Sequence, residues 1–336
     1  MFENILSIET SCDETAVAVL KQDGCRKSEL VASQEVIHEK YGGIVPEIAS
    51  RRHVEVLNFM IEESLYSAGI SYSDLEAVVV TAGPGLIGSL LIGITAAKTI
   101  SYCFKLPLVG VDHVISHIFA NYYQDCWKIR PAVCLVVSGG HTSLFLFSED
   151  EKIECIGWTI DDAAGEAMDK IARYLNLGYP GGPLIDELSK RGSPDSVDLP
   201  RPMIRTGDFN FSFSGLKTAV VRMVTKNPHL FREPGLFDLL SSFQEAIVDT
   251  LVSKTINAVG IYGAGQVMIS GGVAANSRLR EKMSQECSKK GILFGAPPIK
   301  YCTDNAVMTG LYGIFKMNLG LIDDMSLDAY SIFKNI

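Results

Sequence analysis

What most constrains this chain is a near-repeat. Ile5–Leu20 and Ala132–Phe147 each read as two apolar strands joined by a short polar tip, and the two begin about 127 residues apart. The first tip, Ser11-Cys12-Asp13-Glu14, carries a hydroxyl and two acids; the second is Ser138-Gly139-Gly140-His141-Thr142. A third element, Val267 to Arg280, reads as a strand ending at Gly271-Gly272 and opening a helix past Asn276. Glycines there let the backbone approach a ligand, and a helix N-terminus favours anions. The expected architecture is α/β and duplicated: one lobe over 1–128, a second over 129–305, and a C-terminal helix, 306–336, packing back on the first.

A length of 336 residues suits two such lobes. With 47% hydrophobic and 21% charged residues the composition is that of an ordinary globular protein. The segment Ala77–Ala97 is uncharged for 21 residues, near the ~20 that cross a bilayer. Gly83-Pro84-Gly85 divides it, so it reads as a strand (Val78–Thr81), a turn and a buried helix from Leu86. No basic, apolar leader precedes the first strand, and the expectation is a cytoplasmic protein with no membrane span. The eight cysteines contain no C-x-x-C pair, which argues for reduced thiols over a zinc ribbon or a disulfide framework. A net charge of −9 provides no global attraction for nucleic acid.

If Val111–Phe119 is helical, His113 and His117 stand one turn apart on one face, where two imidazoles reach a common metal ion. With six histidines in the chain, such a pair also arises by chance. Thr303-Asp304-Asn305 is a short acidic turn before an apolar helix, Ala306–Phe315. Asp304 is there either a helix N-cap or a third ligand. Elsewhere, Ile48–Gly69 reads as an amphipathic helix, His38–Glu47 as a loop, and Gly165–Arg173 as a helix with acids on one face. Tyr179–Pro183 reads as a rigid turn, and Phe209–Lys217 as a strand alternating aromatic and polar residues. Local basic candidates for a polyanion are Arg51, Arg52, Arg201, Arg205, Lys217, Arg222 and Lys226.

Three glycine-, serine- or threonine-rich turns after strands, in this order, are similar to the layout of the actin-like, sugar-kinase and Hsp70 ATPase superfamily (ribonuclease H-like), whose nucleotide sits in a cleft between two lobes. The motifs narrow this further. Ile8–Thr15, Gly83–Leu86, His113-x-x-x-His117, Val137–Thr142, Gly165-Glu166-Ala167-x-Asp169-Lys170, Tyr179–Pro183, Phe211–Lys217, Gly271–Asn276 and Thr303–Asn305 together resemble the bacterial tRNA N6-adenosine threonylcarbamoyltransferases. That family, TsaD, was formerly described as O-sialoglycoprotein endopeptidases, and the resemblance spans about residues 5 to 315.

The resemblance implies transfer of threonylcarbamoyl from threonylcarbamoyl-AMP to N6 of the adenosine 3′ of the anticodon, in tRNAs reading codons that begin with A. It implies that His113, His117 and Asp304 hold one divalent metal ion per subunit, Fe2+ favoured and Zn2+ an alternative. It implies that Val136, Val137, Ser138, Gly139, Gly140, Asp169, Gly182, Asp186 and Asn276 line an adenylate pocket. Asp13 and Glu14 are expected to position the amine or the ligand. Implied partners are tRNA, a shorter paralogous actin-like subunit (TsaB-like) and a small P-loop ATPase (TsaE-like). The chain departs from the family at Ile115-Ser116, where Glu-Gly is usual. A zincin protease needs His-Glu-x-x-His, and Val114-Ile115-Ser116 contains no acid. The remaining rivals are a small-metabolite kinase of the superfamily, which does not need His113, and a non-catalytic scaffold packing through Leu86–Thr99.

Overall fold

The computed structural model describes residues 2–122 and 129–332. The expected lobe boundary at 128 and Cys126 lie outside the described residues; the helix expected over 306–336 runs only over Ala306–Asn318, and residues 319–332 continue without helix. Of those described, 2–122 with 304–332 form one compact unit and 129–303 form another.

The first unit begins with β1 (Ile5–Glu9), β2 (Glu14–Leu20) and β3 (Arg26–Ser33), followed by α1 (Glu35–Glu39) and α2 (Pro46–Ser67). Then come β4 (Ala77–Gly83), α3 (Ile87–Phe104), β5 (Leu108–Asp112) and α4 (His113–Phe119). The second unit holds β6 (Ala132–Val137), β7 (Thr142–Phe147), β8 (Ile153–Trp158), α5 (Ala164–Tyr174), α6 (Gly181–Ser189), α7 (Ser214–Lys226) and α8 (Gly235–Tyr262). It ends with β9 (Gln266–Ser270), α9 (Ser277–Lys289) and β10 (Leu293–Gly295), after which α10 (Ala306–Asn318) belongs to the first unit.

The two sheets share one topology, β3-β2-β1-β4-β5 and β8-β7-β6-β9-β10. In each, a hairpin and a third antiparallel strand are extended by two parallel strands. The hairpin registers run from Ile5↔Leu20 to Glu9↔Ala16 and from Ala132↔Phe147 to Val137↔Thr142. The near-repeat thus marks equivalent strands, and β9, which the third motif ends, corresponds to β4. Strands β1 and β4 are buried throughout, as the near-continuous apolar run of a central strand requires. Each buried Val of β4 contributes roughly 1.5–3 kcal/mol.

Helix α3 is the one helix among the described residues that is long and apolar enough to cross a membrane. Its buried residues, Ser89, Leu90, Gly93, Ile94, Ala97, Ile100 and Ser101, follow helical spacing, and the helix packs on β4 and α2.

Three further expectations are corrected. Phe209–Lys217 is no strand: Phe211 makes one isolated bridge to Thr159, and α7 already starts at Ser214. The Asp161 carboxylate accepts the N–H groups of Phe213 (2.8 Å) and Ser214 (3.3 Å), so a side chain takes bonds that a ladder would have taken. The alternation arose because Phe211 and Phe213, rings stacked 6.3 Å apart, both plug the core. Tyr179–Pro183 is not wholly a turn, since Gly181 opens α6. His38 belongs to the short helix α1 and not to a loop.

In the second unit an ion-pair network ties α8 to α9. Arg278 forks onto Glu245 at 2.7 and 2.9 Å, and Lys282 joins Glu245 to Asp249, which also accepts from Arg201. Burial would raise the Glu245 carboxyl, but Arg278 and Lys282 outweigh it and hold the group down to about 2. A carboxylate held below its unfolded value stabilises the fold above that value and loses the contribution as pH falls towards the folded one. We expect a stabilisation of at most about 3 kcal/mol at neutral pH, lost progressively as pH falls from about 4.5 to about 2. Urea unfolding of Glu245→Gln should show the full deficit at neutral pH and about half of it or less at about pH 3. An equal deficit at both would assign the effect to packing.

Candidate functional site

Helix α4 is two turns long and all seven of its residues are buried. Asp112, the last residue of β5, caps it by accepting the Ile115 N–H at 2.9 Å. That cap fixes where the helix begins and so places His113 and His117 on one face, with ring centroids 4.9 Å apart. Asp304 approaches both, its Oδ1 lying 3.2 Å from His117 Nε2 and 3.6 Å from His113 Nε2. Asp304 is not the cap of α10; Asn305 is, through the Met308 N–H at 2.9 Å. The carboxylate is thereby left to the imidazoles.

One ligand atom from each of the three residues falls within a 4.8 Å span. Two donors on one first-row metal ion sit up to about 4.2 Å apart, so the triad needs little contraction to hold one. His117 provides the decisive observation. It is 1% exposed, and neither ring nitrogen has a hydrogen-bond partner among the described residues; its contact with Asp304 lacks hydrogen-bond alignment. A buried imidazole with two orphaned nitrogens is costly in a fold without metal and expected of a ligand.

His113 is held from behind. Its Nδ1 lies 3.0 Å from Ser11 Oγ and 3.4 Å from Glu9 Oε2. Glu9, on β1, is fully buried, and its Oε1 accepts the Ser11 N–H at 2.6 Å. Its Oε2 accepts the hydroxyls of Thr81 and, at 3.1 Å, Thr309. A carboxylate behind Nδ1 orients the ring and turns Nε2 towards Asp304. Burial disfavours a charged His113, but Asp304 and Glu9 more than offset it and lift the imidazole to about 9. Burial would likewise raise Glu9, and His113 outweighs it and holds the carboxyl below its usual range. A divalent cation would replace the proton on Nε2. Sequence reasoning missed Glu9 and Ser11 as supports of this site.

Asp13 and Glu14 stand at the tip between β1 and β2. The tip is buttressed by His53 of α2, whose Nε2 donates to Cys12 O at 3.0 Å while Nδ1 faces the Thr15 hydroxyl at 2.7 Å. Burial keeps His53 below its ordinary pKa and so neutral. Burial, then the charges of Asp304 and Asp13, push Glu14 well above the usual carboxylate range.

The second unit collects the other expected residues. Val136 and Val137 are fully buried, so they can offer a ligand only backbone. The turn after them is closed by Ser138 N–H to His141 O at 2.8 Å, and Gly165 N–H at the start of α5 donates to Ser138 O at 3.2 Å. A side chain at Gly139 or Gly140 would meet nothing within 4 Å. Asp169 accepts the Gly181 N–H at 2.7 Å, tying α5 to the start of α6; burial raises its carboxyl, which this bond and one from Gly182 partly offset. Asp186 accepts from Ser277 Oγ at 2.9 Å. Asn276 caps α9 through Leu279 N–H and donates to Gln244 Oε1 at 2.8 Å, so its amide is committed at both ends. Gly271 adopts φ +87°, and a Cβ there would sit 2.4 Å from Val137 O. Gly271→Ala is therefore expected to destabilise the protein by about 2 kcal/mol or more, measured by urea unfolding; a change within error would mean the turn relaxes freely. Among the basic candidates, Arg201 is paired with Asp249 and Arg52 with Glu55.

A profile of the family TsaD, tRNA N6-adenosine threonylcarbamoyltransferase, matches residues 27–311. A protein of that name from Geotalea uraniireducens (strain Rf4) is 46% identical over 329 residues, covering 98% of this chain and 96% of its own. Its namesake from Bacillus subtilis (strain 168) is 48% identical over 319 residues, 94% and 91% of the two chains. Among solved structures, T. kodakarensis HypF aligns with a TM-score of 0.68 at 15% identity, over 97% of this chain and 50% of its own. Component A of (R)-2-hydroxyglutaryl-CoA dehydratase from Acidaminococcus fermentans aligns with a TM-score of 0.55 at 14% identity, over 94% and 99%. These structural likenesses speak to fold alone: a duplicated, actin-like α/β architecture.

Proposed function

The chain belongs to the tRNA N6-adenosine threonylcarbamoyltransferase family, and from that premise we propose how its residues divide the work. The enzyme transfers threonylcarbamoyl from threonylcarbamoyl-AMP to N6 of the adenosine 3′ of the anticodon in tRNAs reading codons that begin with A. In this reading His113, His117 and Asp304 hold the metal, and what supports them is the orphaned, buried pair of nitrogens on His117. Two imidazoles and one carboxylate suit Fe2+ and zinc about equally, and Fe2+ is the ion assigned here from the family resemblance. When bound, such an ion polarises the donor's acyl group and anchors its threonyl moiety.

The donor is a mixed anhydride with AMP as leaving group, so no protein nucleophile is needed. The amine forms a bond to the carbamoyl carbon, that carbon's bond to the phosphate oxygen breaks, and one amine proton departs. We assign Asp13 and Glu14 to orient the amine, and Asp13 to receive that proton. The adenylate falls to the second unit. With Val136, Val137 and Asn276 committed to the core and to a cap, the backbone of Ser138–Gly140 and the start of α6 at Gly182 carry the contact, with Asp169 holding the start of α6 and Asp186 tying α6 to the start of α9.

A net charge of −9 makes this chain a poor solitary binder of tRNA. The family's TsaB-like and TsaE-like subunits are accordingly assigned a share of the grip, and a tRNA substrate supports assigning the reaction to the cytoplasm. Support for a protein partner comes from an apolar groove of about 760 Å³ between α2 and α3, lined by Val54, Leu57, Ile61, Leu91 and Phe104.

The direct test combines metal-loaded protein, both subunits, threonylcarbamoyl-AMP and an unmodified tRNA reading an A-starting codon, followed by mass spectrometry of the digested nucleosides. Threonylcarbamoyladenosine is expected. Its absence with folded, metal-loaded protein would overturn the assignment.

A further inference from the structure

The residues after α10 lie across the first unit as a strap. Asp323 N–H donates to Leu108 O at 2.9 Å, its Oδ2 accepts the Gly110 N–H at 2.8 Å, and Lys316 Nζ donates to Gly110 O at 2.6 Å. This covers the outer edge of β5, which would otherwise present unpaired ladder groups. The strap then reaches the C-terminal ends of β4 and β5, where Tyr330 N–H donates to Ala82 O at 3.1 Å. The path is clear only because two positions lack side chains. A Cβ at Gly83 would sit 2.2 Å from Tyr330 O, and one at Gly110 would sit 2.4 Å from the Leu327 side chain.

The Tyr330 hydroxyl donates to Asp112 Oδ2 at 2.9 Å, while Asp112 Oδ1 is the cap of α4. One carboxylate therefore joins the strap to the helix that carries both histidines. A helix of seven residues has little cohesion of its own, and its start is set by its cap. We propose that the strap Asp323–Tyr330 is a positioning element of the metal centre, with Tyr330 acting through Asp112 to fix where α4 begins and hence where His113 and His117 point. This rests on the assignment of His113, His117 and Asp304 as the ligand set.

The test measures zinc affinity of the purified full chain by competition with a chromophoric chelator, for wild type, Tyr330→Phe, Asp112→Ala, the double variant and His117→Ala. Tyr330→Phe keeps the ring and removes only the hydroxyl, so its metal-free thermal midpoint should stay within a few degrees of wild type. Its zinc Kd should rise about 3- to 10-fold, the low end of effects from groups behind a ligand. On the Asp112→Ala background the same change should add nothing, because the bond it removes is already gone. A wild-type Kd for Tyr330→Phe, or a full further loss on Asp112→Ala, would overturn the proposal. Tight zinc binding by His117→Ala would instead remove the ligand set and the strap's role with it; loss in His117→Ala with no effect at Tyr330 would sink the strap alone.

Discussion

Replacing His117 with Ala is expected to lower threonylcarbamoyl transfer by about 100-fold or more while leaving the metal-free fold as stable as wild type. The second half distinguishes a ligand from a packing residue. Truncating a well-satisfied buried side chain costs several kcal/mol because contacts and hydrogen bonds go together. His117 brings contacts but no hydrogen bond, so in the metal-free protein it carries a burial penalty of roughly 1–3 kcal/mol. Removing it relieves that penalty and leaves a cavity, and the two largely cancel. Metal at about 100 times its Kd should stabilise wild type by about 2.7 kcal/mol by mass action, and the variant by almost nothing. Calorimetric scans of both proteins with and without metal check this. A metal-free variant that melts many degrees early yet still gains stability from metal would take His117 out of the ligand set.

Glu9→Ala is expected to damage both stability and metal binding. Its carboxylate accepts from Ser11 N–H, Thr81 and Thr309 and backs His113, all in the buried interior of the first unit. Deleting it strands these donors, at about 3 kcal/mol or more, and releases the ring, at about 10- to 100-fold in metal affinity. Glu9→Gln should separate the two effects. Its amide keeps an acceptor for Ser11 and retains much of the stability, but it turns a neutral group towards His113 and still weakens metal binding. Equal metal affinity in Glu9→Gln and wild type would mean that the charge behind His113 has no part in tuning the site.

That Glu9 went unread in the sequence has a physical cause. Apart from Ser11, its partners lie 72, 104 and 300 residues away along the chain, so no local pattern marks its role behind His113. The duplication was legible because hairpins are local: period-two apolar runs around a polar tip occur at matching places in both units. The histidine pair was legible because helical spacing is local too. Asp304 was ambiguous for the same reason, since an acid before an apolar helix reads as a cap until its neighbour Asn305 is seen to fill that role. Phe209–Lys217 misled because alternation reports which side chains are buried and not what its backbone bonds to; Asp161, about fifty residues earlier, decided that. Asn276 shows the opposite case, a residue flagged for ligand contact whose amide is engaged in capping and in a bond to Gln244.

Asp304 comes late, and this sets an order on synthesis. Residues 129–303 form a unit from one continuous stretch, whereas the unit holding the histidines needs α10, with Ser7 bonded to Ala306 across 299 residues of sequence. At about 5–20 residues per second a ribosome takes roughly ten seconds or more to travel from His117 to Asp304. During that interval a nascent chain has both imidazoles but neither Asp304, the proposed third ligand, nor the helix α10 that packs on α4. On the proposed ligand set, tight metal capture would wait for Asp304, and a chain terminated anywhere before it would lack that set whatever else of it had folded.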